Sequence, residues 1–231
     1  MRYSSVLVAA VVATAAMAPL SASADFNTLV IEQTNEPGDL GNTLFVDQSA
    51  ATSSTVGGLV IENVLIDGME GLTATPQSAA VQAGSGNTAD ITITGSGGTA
   101  RLSQVGDGND AALVLGTSLT PATGSLAIIG QEGLNNQASL TVLGTGSVGT
   151  ILQTGNGNEA GLTVNGNNIN AGVAQIGNGN KATDLIATGT ANVQYIQIGD
   201  GLTASTAAQV TSNAVTSNGA AITIIQRSVG N

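Results

Sequence analysis

The side chains that could do chemistry in this chain are few. There is no His and no Cys, which removes the commonest general base, the commonest metal ligand, thiolate chemistry and any disulfide. Gly106-Asp107-Gly108-Asn109-Asp110 resembles half of a calcium loop, but calcium takes about six to eight oxygens and most of the equivalent segments elsewhere lack the Asp. Gly-x-Gly triplets at Gly155–Gly157 and Gly177–Gly179 precede no helix that could hold a phosphate, so they read as turn glycines. Glu159 and Asp184 could suggest the carboxylate pair of a glycosidase, a chemistry that needs both acids facing one cleft. The acids here are scattered along the repeat. Thr92, Thr141 and Thr163 make a partial threonine row. No catalytic, cofactor or metal site is expected, and the chain is not expected to be an enzyme.

The elements that carry these residues follow from an internal repeat. Gln recurs at Gln82, Gln104, Gln131, Gln153, Gln175 and Gln197, with intervals of 22 except for one of 27. The long interval holds Thr117 to Gly124 with Pro121 and reads as a five-residue surface insertion, so removing Leu119 to Thr123 is expected to leave the fold intact. Two residues after each Gln stands Gly (Gly84 to Gly199), and seven after stands Ala (Ala89 to Ala204). Five after stands Asn, at Asn87, Asn109, Asn136, Asn158 and Asn180, with Leu202 breaking the series. A period of 22 fits two short strands and two turns, the size of one solenoid coil. In the coil near residue 175 the strands are Ala171–Ile176 and Lys181–Ile186, and the turns are 177–180 and 187–190. The expected fold is all-β, a β-solenoid of about seven stacked two-strand coils.

Period-two alternation assigns the faces. The residues two before each Gln (Ala80, Leu102, Ile129, Ile151, Val173, Tyr195) point inward with it. On the second strand the Ala is followed inward by Ile91, Leu113, Leu140 and Leu162, then by Ile93, Leu115, Val142, Val164 and Ile186. Asp184 sits where Leu is wanted and implies a local bulge. Stacked strands lie about 4.8 Å apart, so inward amides can donate to one neighbour and accept from the other. The six Gln are therefore read as a buried ladder in preference to surface positions. For the five Asn a ladder and a turn role are both open, given their Gly neighbours.

The ends are less regular. Arg2, the apolar run Val6 to Ala18 and Ala22-Ser23-Ala24 form a secretory signal over 1–24. The run is too short to span a bilayer, and no membrane insertion is expected. Degenerate coils are expected over 25–79: Val30 to Gln33 with Asn42 to Gln48 as one, and Leu59 to Ala74 as another, poorly phased. Regular repeats fill 80–206. Over 207–231 a capping coil is expected, with Asn213, Asn218, Ala220, Ile222 and Ile224 in the Gln, Asn, Ala and core slots. Without the signal, three cations remain against 15 acids. Such a surface does not bind nucleic acid, whose affinity comes from Lys and Arg clusters.

The string Gln, x, Gly, x, x, Asn, x, Ala resembles the curlin repeat of bacterial curli fibres. The family motif begins with Ser six residues before the Gln; Ser125 and Ser147 match, while Pro76, Gly98, Ile169 and Ala191 do not. It ends with a second Gln four after the Ala, where this chain has Ile93, Leu115, Val142, Val164 and Ile186; only Gln48 fits. The segment 127–136 looks especially similar to a curlin coil. The resemblance implies a secreted subunit of a cell-surface amyloid fibre for adhesion and biofilm matrix. It implies as partners the chain itself, a related curlin subunit and an outer-membrane secretion channel. A second expectation, from the threonine row, is a monomeric solenoid that binds ice or a glycan surface as an adhesin. The row is interrupted by Val114 and Leu185.

Overall fold

Two corners, glycine-bearing in the regular repeats, reverse the chain in each coil, and the stacking of those corners dictates the architecture. At the first corner Gly106 and Gly108 have φ of 108° and 66°. A Cβ on Gly106 would lie 2.1 Å from the carbonyl oxygen of Gly133 in the next coil, so only glycine fits. One coil later Asn135 fills the second glycine slot at φ 54°, a conformation Asn tolerates.

The computed structural model describes residues 26–34, 40–66, 69–77, 79–204 and 214–228. The expected signal, 1–24, lies outside them. The protein is a β-solenoid of about seven coils, with no helix among the described residues. Each coil contributes one strand to each of two parallel walls. Wall 1 contains Thr99–Val105, Leu126–Glu132, Val148–Thr154 and Asn170–Ile176. Wall 2 contains Asp110–Leu115, Gln137–Leu143 and Glu159–Asn165. Register is strict: Leu102, Ile129, Ile151, Val173 and Tyr195 stack in one column and the Gln residues in another. Between the walls lie Leu102, Ile129, Leu140, Val142, Ile151 and Val164, all fully buried. A coil offers only a few such side chains, each worth about 1.5–3 kcal/mol on burial, so no coil is stable without its neighbours.

The N-terminal coil joins this stack in phase. Ile31 and Gln33 pair with Ala80 and Gln82, and Leu44 and Val46 with Ala89 and Ile91. The second coil is split. Thr55, Val56 and Gly57 pair with Thr99, Ala100 and Arg101, and the same rung resumes as Val81, Gln82 and Ala83 beside Ser103, Gln104 and Val105. Between these halves Thr55–Ile66 and Met69–Gln77 pair antiparallel. The coil expected over Leu59 to Ala74 is thus an inserted hairpin. The split also moves Ser54 into the slot assigned to Pro76: Thr55 donates its N–H to Gly98, so Ser54 stands level with Gly98, and it is buried.

Four further expectations are corrected. The insertion is 117–121, because Ala122 and Thr123 pair with Gly95 and Ser96 and Ala122 is buried; a deletion of 119–123 would cut the ladder. At Asp184 the register shifts, with Ala160 beside Ala182 but Leu162 beside Leu185. The extra residue puts Ala187 in the core slot and leaves Ile186 37% exposed, so Ile186 is not inward. The corner expected at 187–190 does not interrupt the strand, which runs Lys181–Ile198 through Gly189 at φ 90°. At the C-terminus Ala214–Arg227 follows Ile186–Ile198, with Ile222, Ile224 and Gln226 beside Val193, Tyr195 and Gln197. Gln226 takes the Gln slot, Asn218 pairs with Thr190, and Asn213 lies outside the described residues.

Candidate functional site

Two buried amide ladders are what the repeat builds at its inner corners. Gln82, Gln104, Gln131, Gln153, Gln175 and Gln197 are all fully buried. Each Nε2 donates to the Oε1 of the next: Gln82 to Gln104 at 2.8 Å, Gln104 to Gln131 at 2.9 Å, Gln131 to Gln153 at 3.0 Å, Gln153 to Gln175 at 2.8 Å and Gln175 to Gln197 at 2.7 Å. The second N–H crosses to a wall 2 carbonyl of the preceding coil, as from Gln153 to Gln137 at 2.9 Å and from Gln175 to Glu159 at 3.0 Å. Every interior amide therefore ties three strands together. The ladder runs further than the sequence reading had it: Gln33 donates to Gln82, and Gln197 to Gln226 at 2.9 Å.

Asn87, Asn109, Asn136, Asn158 and Asn180 are also fully buried. They serve the turn and a ladder together, which resolves the open choice. The Oδ1 of Asn109 accepts both the backbone N–H and the Nδ2 of Asn136, each at 3.0 Å. Asn158 uses Asn136 the same way at 3.0 and 3.1 Å, and its own Nδ2 reaches the carbonyl of Gly177 at 2.8 Å. Asn42 continues the series below, accepting the N–H of Asn87 at 3.0 Å. Above, the series ends where the N–H of Leu202 donates to Asn180 at 2.9 Å. The Gln row donates towards the C-terminus and the Asn row towards the N-terminus.

The opposite corner has a shorter polar row. Ser54 accepts from Gln48 at 2.8 Å and is held by Asn27 at 2.9 Å, while the hydroxyls of Ser125 and Ser147 accept the N–H groups of Ser147 and Ile169 at 3.1 and 3.2 Å. A hydrophobic side chain, Ile169, ends it.

The residues that could have done chemistry are engaged in stacking. Asp107 accepts the N–H of Ser85 at 2.8 Å, and Asp110 the hydroxyl of Thr88 at 2.6 Å. Glu159 pairs with Lys181 at 2.6 Å on the surface of wall 2. Among the described residues no three acids gather as a cation cluster. The threonine column of wall 2 reads Thr92, Val114, Thr141, Thr163 and Ile186, so the second interruption is Ile186 and not Leu185.

Two groups stand out electrostatically. Tyr195 lies between the walls, where burial pushes its phenol above the ordinary value despite an opposing hydrogen bond with Gln197, and its hydroxyl donates to Gln226 at 2.5 Å. Asp47 is held low by the hydroxyl and N–H of Ser49.

Gln33, Asn42 and Gln226 were legible in principle. Gln226 is followed two residues on by the small Ser228 and five on by Asn231, the spacing of the regular repeats. No protein-family model, no curated sequence and no solved structure matches this chain.

Proposed function

We propose that this chain is a structural subunit of an extracellular curli-like amyloid fibre that serves adhesion and biofilm matrix. On this reading it is secreted with a cleaved signal, passes an outer-membrane channel and polymerises with itself and with a related curlin subunit.

The observation that carries the proposal is the state of the two tips. Among the described residues, the strands at Thr28–Leu29, Ile31–Thr34 and Thr43–Thr52 pair on one side only, as does the last stretch of Ala214–Arg227. Each tip offers a row of backbone donors and acceptors, the template on which another chain adds. Gln33 and Gln226 place an amide of the same ladder at each tip. A subunit that ended its polymer at one copy would be expected to cover or charge those edges.

The test is incubation of the chain lacking residues 1–24 at high concentration, followed by electron microscopy, amyloid-dye binding and fibre diffraction. Fibres with a meridional spacing of about 4.8 Å are expected. Protein that stays monomeric for days and binds no dye would move the reading to a monomeric surface-binding solenoid.

A further inference from the structure

The hairpin of Thr55–Ile66 and Met69–Gln77 is the one insertion that builds a second apolar cluster. Leu59, Leu72 and Leu152 bury one another outside the solenoid core, with Ile61, Ala74 and Ile128 packed around them. Leu152 faces outward from wall 1, yet it is only 3% exposed, because the hairpin lies over it. Gly130, on the same outer column, is a fitted gap: a Cβ there would meet the side chains of Ile61 and Leu59 at 2.8–2.9 Å. Arg101 fastens the base, its guanidinium donating to the carbonyls of Gly58 and Gln77 at 3.1 Å each.

On the outer face of wall 1 the column Gly130, Leu152, Ala174 and Ile196 carries no charge, and the columns beside it carry Arg101 and Glu132, of opposite sign. The outer face of wall 2 carries Asp110, Glu159 and Lys181. In a chain with 15 acids against four bases, wall 1, where Arg101 and Glu132 offset one another, is the flank on which two copies approach with least repulsion. The same flat strip on each copy makes that contact self-complementary.

We propose that the hairpin is an intramolecular shield: it occupies the face on which a second copy of this chain would otherwise dock side by side. The shield requires only the folded solenoid; its consequence, that fibres grow at their tips without bundling, rests on the function proposed above.

The split rung supplies a clean test. Gly57 and Ala80 hold adjacent positions of one wall 1 strand, so deleting 58–79 and joining them directly restores a continuous rung. The deletion variant is expected to keep the β-type circular dichroism of the parent. It should sediment as a dimer or larger where the parent is monomeric, and its fibres should form bundles several-fold wider. Adding Leu152→Lys to the deletion should return the monomer and the single fibre. A folded deletion variant of unchanged mass and fibre width overturns the proposal. Should the deletion not fold, Gly130→Val in the full chain decides: it should lift the hairpin, speed proteolysis within 58–79 and produce the same self-association. No change in either overturns the shield. Mass in solution is measured before any fibre forms, so a parent that never polymerises defeats the fibre reading and leaves the shield standing. A parent that polymerises while the deletion variant stays unbundled does the reverse.

Discussion

The Gln and Asn ladders occupy the same coils but hold different things. The Gln row joins side chain to side chain and reaches from Gln33 to Gln226. Its second N–H crosses between walls, so it sets the gap and register of the two sheets. The Asn row accepts backbone N–H groups and donates to turn carbonyls. It serves the corner, and it stops at Leu202, which accepts the corner's form through Gly199 and Gly201 but has no side-chain amide to pass on. A buried amide is therefore not one device here. One row aligns sheets and the other satisfies the buried groups of a turn.

Substitution can separate the two roles. The largest effect is expected from Asn158→Leu, which strips the acceptor from the buried N–H of Asn180 and the donors from Asn136 and Gly177. Loss of about 2–4 kcal/mol is expected from the orphaned backbone and side-chain groups together, read as a lower denaturation midpoint. Gln153→Leu should cost about 1–3 kcal/mol, since apolar burial offsets part of the unmet bonds of Gln131 and Gln175. Thr163→Ser on the outer face of the same coil should stay within about 0.5 kcal/mol. Equal losses from Gln153→Leu and Thr163→Ser would mean that the Gln row contributes no buried bonding.

Next in size is the loop. Deleting 117–121 should leave the midpoint within about 1 kcal/mol of the parent, because a shorter loop closes at slightly lower entropic cost. Deleting 119–123 removes Ala122 and Thr123 from their pairing and should cost clearly more by the same measurement. The smallest effect concerns Tyr195, the sole tyrosine once 1–24 are gone. Its folded value is raised, so its contribution is complete below the ordinary value near 10 and is lost as pH climbs through the folded value. Tyrosinate absorbance should appear at higher pH than in the unfolded chain. The last rung, held through Gln226, should loosen with it.

The regular part of this fold was legible because its inserts fall at corners. Gln82 to Gln197, the five Asn and the alternating core could be read by counting, and Thr117–Pro121 disturbed the count without hiding it. The hairpin escaped because it enters between Gly57 and Ala80, within a strand; counting back from Gln82 then lands on Pro76 when the true neighbour in space is Ser54. Ile186 was misplaced for a related reason, since one extra residue reverses every face beyond it. Gln226 was missed because 29 residues separate it from Gln197, and Asn213 offered a nearer but false match. Packing of the hairpin on Gly130 had no signal at all, because an outward glycine in a strand is explained only by what lies on it.

The divided rung of the second coil also sets an order of events in folding. Between Gln104 and Gln197 the coils close loops of 22 residues, apart from one interval of 27, and each finished coil is a template for the next. The strand made of 55–57 and 80–83 cannot form until the chain has returned across the hairpin, a longer closure that gains less local contact before it is complete. Folding is then expected to start among the middle coils and spread outward, with the N-terminal coil added late, on top of the mended rung. In pulsed hydrogen exchange the amides of Ile151 and Gln153 are expected to gain protection first, and those of Val81 and Gln33 after them. A folding chain would thus spend its longest unfinished interval with the N-terminal tip still open.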